Sequence, residues 1–174
     1  MSVNRVPASM FLAILAMATA GCSRARLDDA GAAATPALVG AWRSTLQFKG
    51  GAFASITDLE FMYVFNSGGT MTESSNYDGA PPVPPAYGVW RSVGPGEFEA
   101  RYEYYATRPP AGLADLTSGG GWLPSGRGVF VERIRMSAAG DSFTSTIRYE
   151  ALDPAGRPVP GGGEAEGRAA RIAF

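Results

Sequence analysis

The sequence predicts an all-β domain, built as an antiparallel meander of about eight strands. From Leu38 onward, apolar residues alternate with polar ones at period two in several stretches, which is the pattern of half-buried strands. Clusters of glycine and proline separate these stretches, as expected for turns. The 23 glycines and 13 prolines of the 174-residue chain also disfavour long helices.

The first half of the domain contains five predicted strands, at residues 40–48, 56–65, 70–75, 87–93 and 97–105. Asn66-Ser67-Gly68-Gly69 is a hairpin turn between the second and third. The proline-rich segment 78–85 cannot lie in a central strand and is predicted to be a loop. The clearest alternation runs from Glu97 to Tyr105, where one face is charged and the other apolar, as in a sheet with one packed face.

The second half begins with a Gly/Pro-rich segment at 108–128 that has no periodicity. We expect a long loop there, part of which packs on the domain through its apolar residues, and its role stays open. Strands are predicted at 129–136, 142–152 and 157–159, followed by a flexible turn at Gly161-Gly162-Gly163 and a closing segment at 164–174. Eight strands joined in this way favour a closed barrel, with a β-sandwich as the alternative.

The first strand opens with Gly40-Ala41-Trp42, which resembles the Gly-x-Trp opening of lipocalins and their calycin relatives. The resemblance covers the two ends of the domain and its strand count. It implies a barrel closed at one end by Trp42, with an arginine of the last strand, Arg168 or Arg171, packed across the indole. A guanidinium on an indole face contributes roughly 0.5–2 kcal/mol.

The N-terminus resembles the signal of bacterial lipoproteins. Arg5 precedes an apolar run from Val6 to about Ala20, which is too short for a comfortable membrane span and ends in Thr19-Ala20-Gly21-Cys22. The resemblance implies removal of residues 1–21 and lipid on Cys22. Ordinary cleavage after Ala18-Thr19-Ala20 is the competing interpretation. Cys22 is the only cysteine, so an internal disulfide is excluded.

This interpretation divides the chain into a signal peptide (1–21), a lipidated cysteine with a flexible tether (22–37) and one barrel domain (38–174). The tether sequence is small, polar and aperiodic, although a short Ala-rich helix is an alternative. We expect an exported protein, anchored to a membrane through Cys22 in the periplasm or at the cell surface. The sequence does not indicate which membrane or leaflet, or the oligomeric state.

Composition excludes several kinds of site. The chain has no histidine, which removes histidine-based triads and imidazole metal ligation, and we expect no metal and no cofactor. The formal net charge is −1 and no basic cluster stands out, so nucleic acid is not an expected partner. No residue is assigned a catalytic role.

Aromatic side chains on the predicted inner faces are the candidate ligand-binding residues. They could line a cavity for a small apolar molecule, or simply fill the core with their hydroxyls at the rim. They are Phe61, Tyr63, Phe65, Phe98, Tyr102, Tyr104 and Tyr149.

Charged residues suggest two weaker candidates. Asp58 with Glu60, and Glu97 with Glu99 and Glu103, could do acid–base chemistry if buried, but they lie opposite the aromatic faces and are expected in solvent. Arg133 and Arg135 would bind an anion if they point inward, and are surface charges otherwise.

Three functions follow as hypotheses. The first is a lipoprotein whose barrel binds a small hydrophobic ligand in a cavity of several hundred Å³, the usual scale of ligand pockets. The second is a non-enzymatic envelope interaction module, with an exposed apolar patch around Leu113, Leu116 and Trp122 for a protein partner of unknown identity. The third is an enzyme, which needs a buried carboxyl within reach of a Tyr or Arg inside the barrel.

Overall fold

A computed structural model describes residues 37–79, 83–115 and 121–174 of the chain. The strands are β1 (Gly40–Phe48), β2 (Leu59–Phe65), β3 (Thr70–Ser75), β4 (Ala86–Gly94), β5 (Glu97–Arg108), β6 (Leu123–Met136), β7 (Ser142–Leu152) and β8 (Pro158–Arg171). Each strand pairs antiparallel with the next, and β8 pairs back onto β1. The all-β meander is therefore confirmed, and the sheet is a closed barrel rather than a sandwich.

Alternation along each strand decides which side chains fill the barrel. On β2, Leu59, Phe61, Tyr63 and Phe65 are buried, while Met62 and Val64 between them are exposed. The same period-two rule, applied to all eight strands, gives an interior dominated by aromatic rings in contact with one another. Stacked and edge-to-face pairs such as Tyr102–Phe130, at 4.9 Å between centroids, connect β2, β5 and β6 into one core.

The predicted loop at 108–128 is shorter than expected, because β6 begins at Leu123. Two glycines, Gly126 and Gly128, hid the strand in the sequence, but both lie where a side chain cannot fit. Gly126 has a φ of +138° and a Cβ there would overlap the Leu152 carbonyl, while a Cβ at Gly128 would overlap the Tyr104 ring. These glycines permit close packing and do not interrupt the strand.

The predicted turn at Gly161-Gly162-Gly163 is wrong for the same reason. The triplet lies within the continuous strand β8, which runs from Pro158 to Arg171. A Cβ at Gly163 would overlap the Gly50 carbonyl, and one at Gly162 would come within 2.9 Å of the Tyr149 carbonyl oxygen. The short strand predicted at 157–159 is the beginning of this longer one.

One end of the barrel, here called the closed end, is sealed by Trp42. The Trp42 indole is fully buried and donates a hydrogen bond to the Leu38 carbonyl at 2.9 Å. The Arg171 guanidinium lies 4.2 Å from the ring centroid and donates to the carbonyls of Val39 and Gly140. Of the two predicted arginines, Arg171 therefore makes the contact, while Arg168 is exposed on the outer face.

Gly40 is required by this arrangement, and its replacement is the first testable change. Its φ is +136°, and a Cβ would lie 2.5 Å from Nη1 of Arg171. We expect Gly40→Ala to lower the free energy of unfolding by roughly 1–3 kcal/mol, the usual cost of backbone strain. Thermal unfolding measures this loss. In the matched control Gly68→Ala, no atom lies within 4 Å of the new Cβ, and unchanged stability is expected. Equal losses in both variants would contradict the proposed closure.

Candidate functional site

A cavity of about 350 Å³ occupies the opposite, open end of the barrel and is here called the mouth cavity. Its walls come from β2 to β6, from the loop that joins β1 to β2, and from the loop that joins β3 to β4. The lining residues are Ala52, Phe53, Ile56, Leu59, Phe61, Glu73, Ser75, Tyr77, Asp78, Val83, Pro84, Ala86, Tyr104, Ala106, Thr107 and Phe130. A cavity of this size is at the lower end of the range for small-molecule sites.

Apolar side chains form most of the mouth cavity. Phe53 and Ile56 reach over it from the loop between β1 and β2, where a turn is closed by a 3.1 Å hydrogen bond from the Ile56 amide to the Phe53 carbonyl. Phe53 packs against Phe48 and Tyr149, at centroid distances of 5.3 and 5.1 Å. The loop is thus held down at one edge by aromatic contacts, and its apolar residues face the cavity.

The acidic side of the cavity is built by the segment that follows β3. The Ser75 amide donates to Oδ2 of Asp78 at 2.7 Å, which fixes the Asp78 side chain at the rim. Asn76 ties the same segment to β2, because its side chain accepts from the Glu60 amide and donates to the Asp58 carbonyl. Partial burial raises the pKa of Asp78 above its ordinary value.

Among the described residues that line the cavity, Glu73 is the most deeply buried carboxyl. It points inward from β3, retains only 5% of its exposed surface, and its Oε1 has no hydrogen-bond partner among the described residues. Burial, reinforced by the nearby Asp78 and Glu132 carboxyls, raises the pKa of Glu73 well above its ordinary value. Burial therefore favours the protonated form of this side chain, and its unpartnered Oε1 can bond to a group that enters the cavity.

Below the mouth cavity the barrel is filled, and a second buried carboxyl lies there. Glu132 on β6 has no exposed surface and accepts a 2.9 Å hydrogen bond from the Tyr102 hydroxyl. Burial raises the pKa of Glu132 to about 7, although the hydroxyls of Ser145, Tyr102 and Tyr63 oppose the shift. The Tyr63 and Ser145 hydroxyls also lie near this carboxyl. Within the described residues neither hydroxyl makes a hydrogen bond of ordinary geometry, so each can still donate or accept one.

The seven aromatic residues predicted as ligand-binding all face the interior, but they divide into two groups. Phe61 and Tyr104 line the mouth cavity, where the Tyr104 hydroxyl pairs with that of Tyr149 at 2.9 Å. Phe65 and Phe98 pack around Trp90 near the closed end, and Tyr63 packs beside Tyr102 above them. The structure thus brings two of the predicted residues to the cavity and places the others in the filled core.

The charged candidates lie on the outer face. Arg133 and Arg135 are exposed, so both side chains point outward and are surface charges. The anion site inside the barrel that an inward orientation would have formed is therefore not present at these two residues. Glu97 pairs with Arg135 at 2.8 Å, and Glu99 pairs with Arg91 at 2.7 Å. Pairs this exposed contribute little to stability, and these carboxylates have no surroundings suited to acid–base work.

The enzyme hypothesis required a buried carboxyl beside a Tyr or Arg, and Glu132 with Tyr102 meets that requirement. However, Glu132 is fully buried and does not line the mouth cavity. A substrate in the cavity would meet Glu73, which has no such tyrosine partner. We therefore assign Glu132 to the core.

Two apolar residues of the segment between β5 and β6 are exposed, Leu113 at 82% and Trp122 at 43%. This differs from the expectation that part of the segment packs down on the domain, and it agrees with the exposure expected at these two residues for an interaction module. Leu116 lies outside the described residues, as do the predicted signal peptide, Cys22 and the tether up to residue 36.

No protein-family model and no curated protein sequence matches this chain. Within the described ranges, no helix has the length and apolar character needed to cross a membrane. The same part of the chain contains no cluster of three acidic, cysteine or histidine side chains arranged to hold a metal ion.

Sequence reasoning missed Glu73 and Glu132, and in both cases a signal was present. Glu132 lies between Phe130 and Ile134, so period two predicts that it shares their buried face. Glu73 follows from the hairpin, because Phe65 pairs with Met71 across the turn and Tyr63 then pairs with Glu73. The prediction placed both glutamates in solvent because they are polar. Successive side chains of a strand point to opposite faces of the sheet, so the register of the neighbouring residues determines which face each glutamate occupies.

Proposed function

We propose that this protein is an exported, lipid-anchored binding protein whose barrel holds a small hydrophobic ligand in the mouth cavity. The observation that carries the proposal is the cavity of about 350 Å³, with apolar walls and a buried carboxyl that has an unpartnered oxygen. Apolar walls with one or two convergent polar groups are the usual composition of small-molecule sites. An unpaired buried polar atom costs free energy, and a ligand that bonds to it recovers part of that cost.

Export and anchoring are supported by the sequence alone. The apolar run up to Ala20 and the small residues before Cys22 favour processing at that cysteine. The fourteen residues from 23 to 36 then form a tether between the lipid and the domain. A binding domain held in this way would take up its ligand close to a membrane surface.

The mass of the protein purified from its own host tests both halves of this proposal. We expect a mature chain that begins at diacylglyceryl-Cys22. Native mass spectrometry is expected to show a second species, heavier by the mass of a small molecule that is lost on denaturation. A chain that begins at Gly21 without lipid would contradict anchoring.

A blocked cavity provides the matched test of ligand binding. Ile56 lies at the rim and is only partly buried, so Ile56→Trp is expected to fill the mouth cavity without disturbing the core. The control is Ile172→Trp, at an exposed position after β8. We expect the heavier species to disappear in the first variant and to persist in the second. If the heavier species persists in Ile56→Trp, the bound molecule lies outside the mouth cavity.

An interaction module remains the second candidate, because the outer face of the barrel carries exposed apolar residues. On β4, Tyr87 is 64% exposed and Val89 is 58% exposed, and on β2 Met62 is 53% exposed. Thr72 of β3 pairs with Val64 on one side and with Tyr87 on the other, so the exposed apolar residues of β2 and β4 lie near one another on the outer face. Exposed apolar groups that lie together are typical of protein contacts. A native mass spectrum of the protein from its own host that shows only the chain without a bound molecule would favour this function.

A further inference from the structure

We infer that the mouth cavity selects an amphiphilic primary amine, whose cationic head binds Glu73 and whose apolar part lies against the aromatic wall. This inference deepens the proposed ligand-binding function and rests on it. It names the chemical class of the ligand from the charges and the one unpartnered acceptor in the cavity.

The sign of charge in the cavity is the first argument. The described lining residues include two carboxyls, Glu73 and Asp78, and no lysine or arginine. A carboxylate head, such as that of a fatty acid, would therefore find no cation among the described lining residues to offset its charge. An ammonium head would lie beside two acidic groups and favour their carboxylate forms, in surroundings of low dielectric where the attraction of opposite charges is strong.

The position of the acceptor is the second argument. Oε1 of Glu73 is buried and unpartnered within the described part of the chain, and the side chain points from β3 into the cavity. A buried acceptor with no donor is costly, and an ammonium group supplies three donors. The apolar part of the same molecule would then reach Phe61, Phe130 and, at the rim, Phe53.

Binding of an ammonium group would also release a proton. The titratable groups that interact with Glu73 come from four elements: Tyr63 from β2, Asp78 from the segment after β3, Tyr102 and Tyr104 from β5, and Glu132 from β6. None of them is a cation, and burial raises the pKa of Glu73 well above its ordinary value. An arriving ammonium group favours the carboxylate, so a proton that Glu73 holds leaves to solvent as the ion pair forms.

A matched series of octyl compounds tests this inference. Octylamine, octan-1-ol and octanoate carry a cationic, neutral and anionic head on the same chain, and isothermal titration of the full-length protein at pH 7 compares them. We expect octylamine to bind at least tenfold more tightly than octan-1-ol, and octanoate to bind more weakly than both. In buffers of different ionisation enthalpy, octylamine binding should release protons, up to one for each molecule bound.

The variant Glu73→Gln separates charge from shape. It is expected to weaken octylamine binding at least tenfold and to abolish proton release, while octan-1-ol binding changes less than threefold. Glu150→Gln, an exposed carboxyl on the outer face of β7, is the control and should change neither. Equal affinity for octylamine and octan-1-ol, with both lost in Ile56→Trp, would overturn the amine preference and leave the binding function intact. If none of the three compounds binds, the proposed function itself is contradicted.

Discussion

Acidification from pH 8 to pH 5 is expected to stabilise the barrel by roughly 3 kcal/mol or more. The reason is linkage: a carboxyl with a raised pKa in the folded state holds its proton while the unfolded chain releases its own. Burial raises the pKa of Glu132 from 4.5 to about 7, a difference worth roughly 3 kcal/mol at about 1.4 kcal/mol per pH unit. This stability is fully present below about pH 4.5 and is lost as the pH rises through about 7.

Other groups do not reverse this trend. The pKa of Glu73 is also raised, by burial first, and adds to the effect in the same direction. The carboxyls with lowered pKa values, such as Glu99 beside Arg91 and Asp153 beside Arg157, titrate below pH 5 and contribute little across this window. Chemical denaturation at several pH values measures the dependence.

The variant Glu132→Gln tests whether Glu132 is the source of this pH-dependent stability. The amide keeps an acceptor for the Tyr102 hydroxyl, and its new N–H donors lie near the unpartnered hydroxyls of Tyr63 and Ser145. We expect the variant to be roughly 3 kcal/mol more stable than the natural protein at pH 8 and nearly equal to it at pH 5. The control Glu150→Gln should retain the natural pH dependence. Unchanged pH dependence in Glu132→Gln would show that Glu132 titrates normally.

Removal of the Trp42 side chain is the second change with a large expected effect. We expect Trp42→Ala to lower the free energy of unfolding by about 4 kcal/mol, within the range for buried aromatic residues. The indole is fully buried, contacts Phe143 at a 5.1 Å centroid distance, and carries the stacked guanidinium of Arg171. Loss of the indole leaves a cavity and also leaves the Leu38 carbonyl without its hydrogen-bond donor.

Trp122 provides the control for this change. It is 43% exposed, outside the core cluster, so Trp122→Ala is expected to change stability by less than about 0.5 kcal/mol. Urea denaturation of both variants gives the comparison. A loss below about 1 kcal/mol for Trp42→Ala would mean that the closed end does not depend on this residue.

Most of the fold could be predicted because the chain is a meander of local hairpins. Period-two alternation marks β1, β5 and β7, and the turn at residues 66–69 fixes the pairing of β2 with β3. Closure between β1 and β8 joins residues at the two ends of the domain, so no local hairpin predicts it. It was expected from the strand count and from the resemblance at Gly40-Ala41-Trp42, which also implied the arginine of the last strand that contacts Trp42.

The site was less predictable, and the physical reason is the same at both buried carboxyls. The polar character of glutamate favours solvent, and at both positions it opposed the pattern that indicates burial. That pattern is period two in β6 for Glu132 and the hairpin register with β2 for Glu73. At the glycines of β6 and β8 the prediction was wrong for a different reason. They suggested loops, although in the barrel they allow backbone and aromatic rings to approach closely.

Amide chemical-shift changes on addition of octan-1-ol test whether a ligand binds in the mouth cavity, because this neutral probe reports on the cavity independently of the amine preference. We expect the shifts to concentrate at the lining residues of the open end, such as Ile56, Glu73 and Tyr104, while the indole N–H signal of Trp42 at the closed end stays in place. The absence of shifts, or shifts confined to the exposed stripe around Tyr87 and Val89, would contradict a ligand site in the mouth cavity.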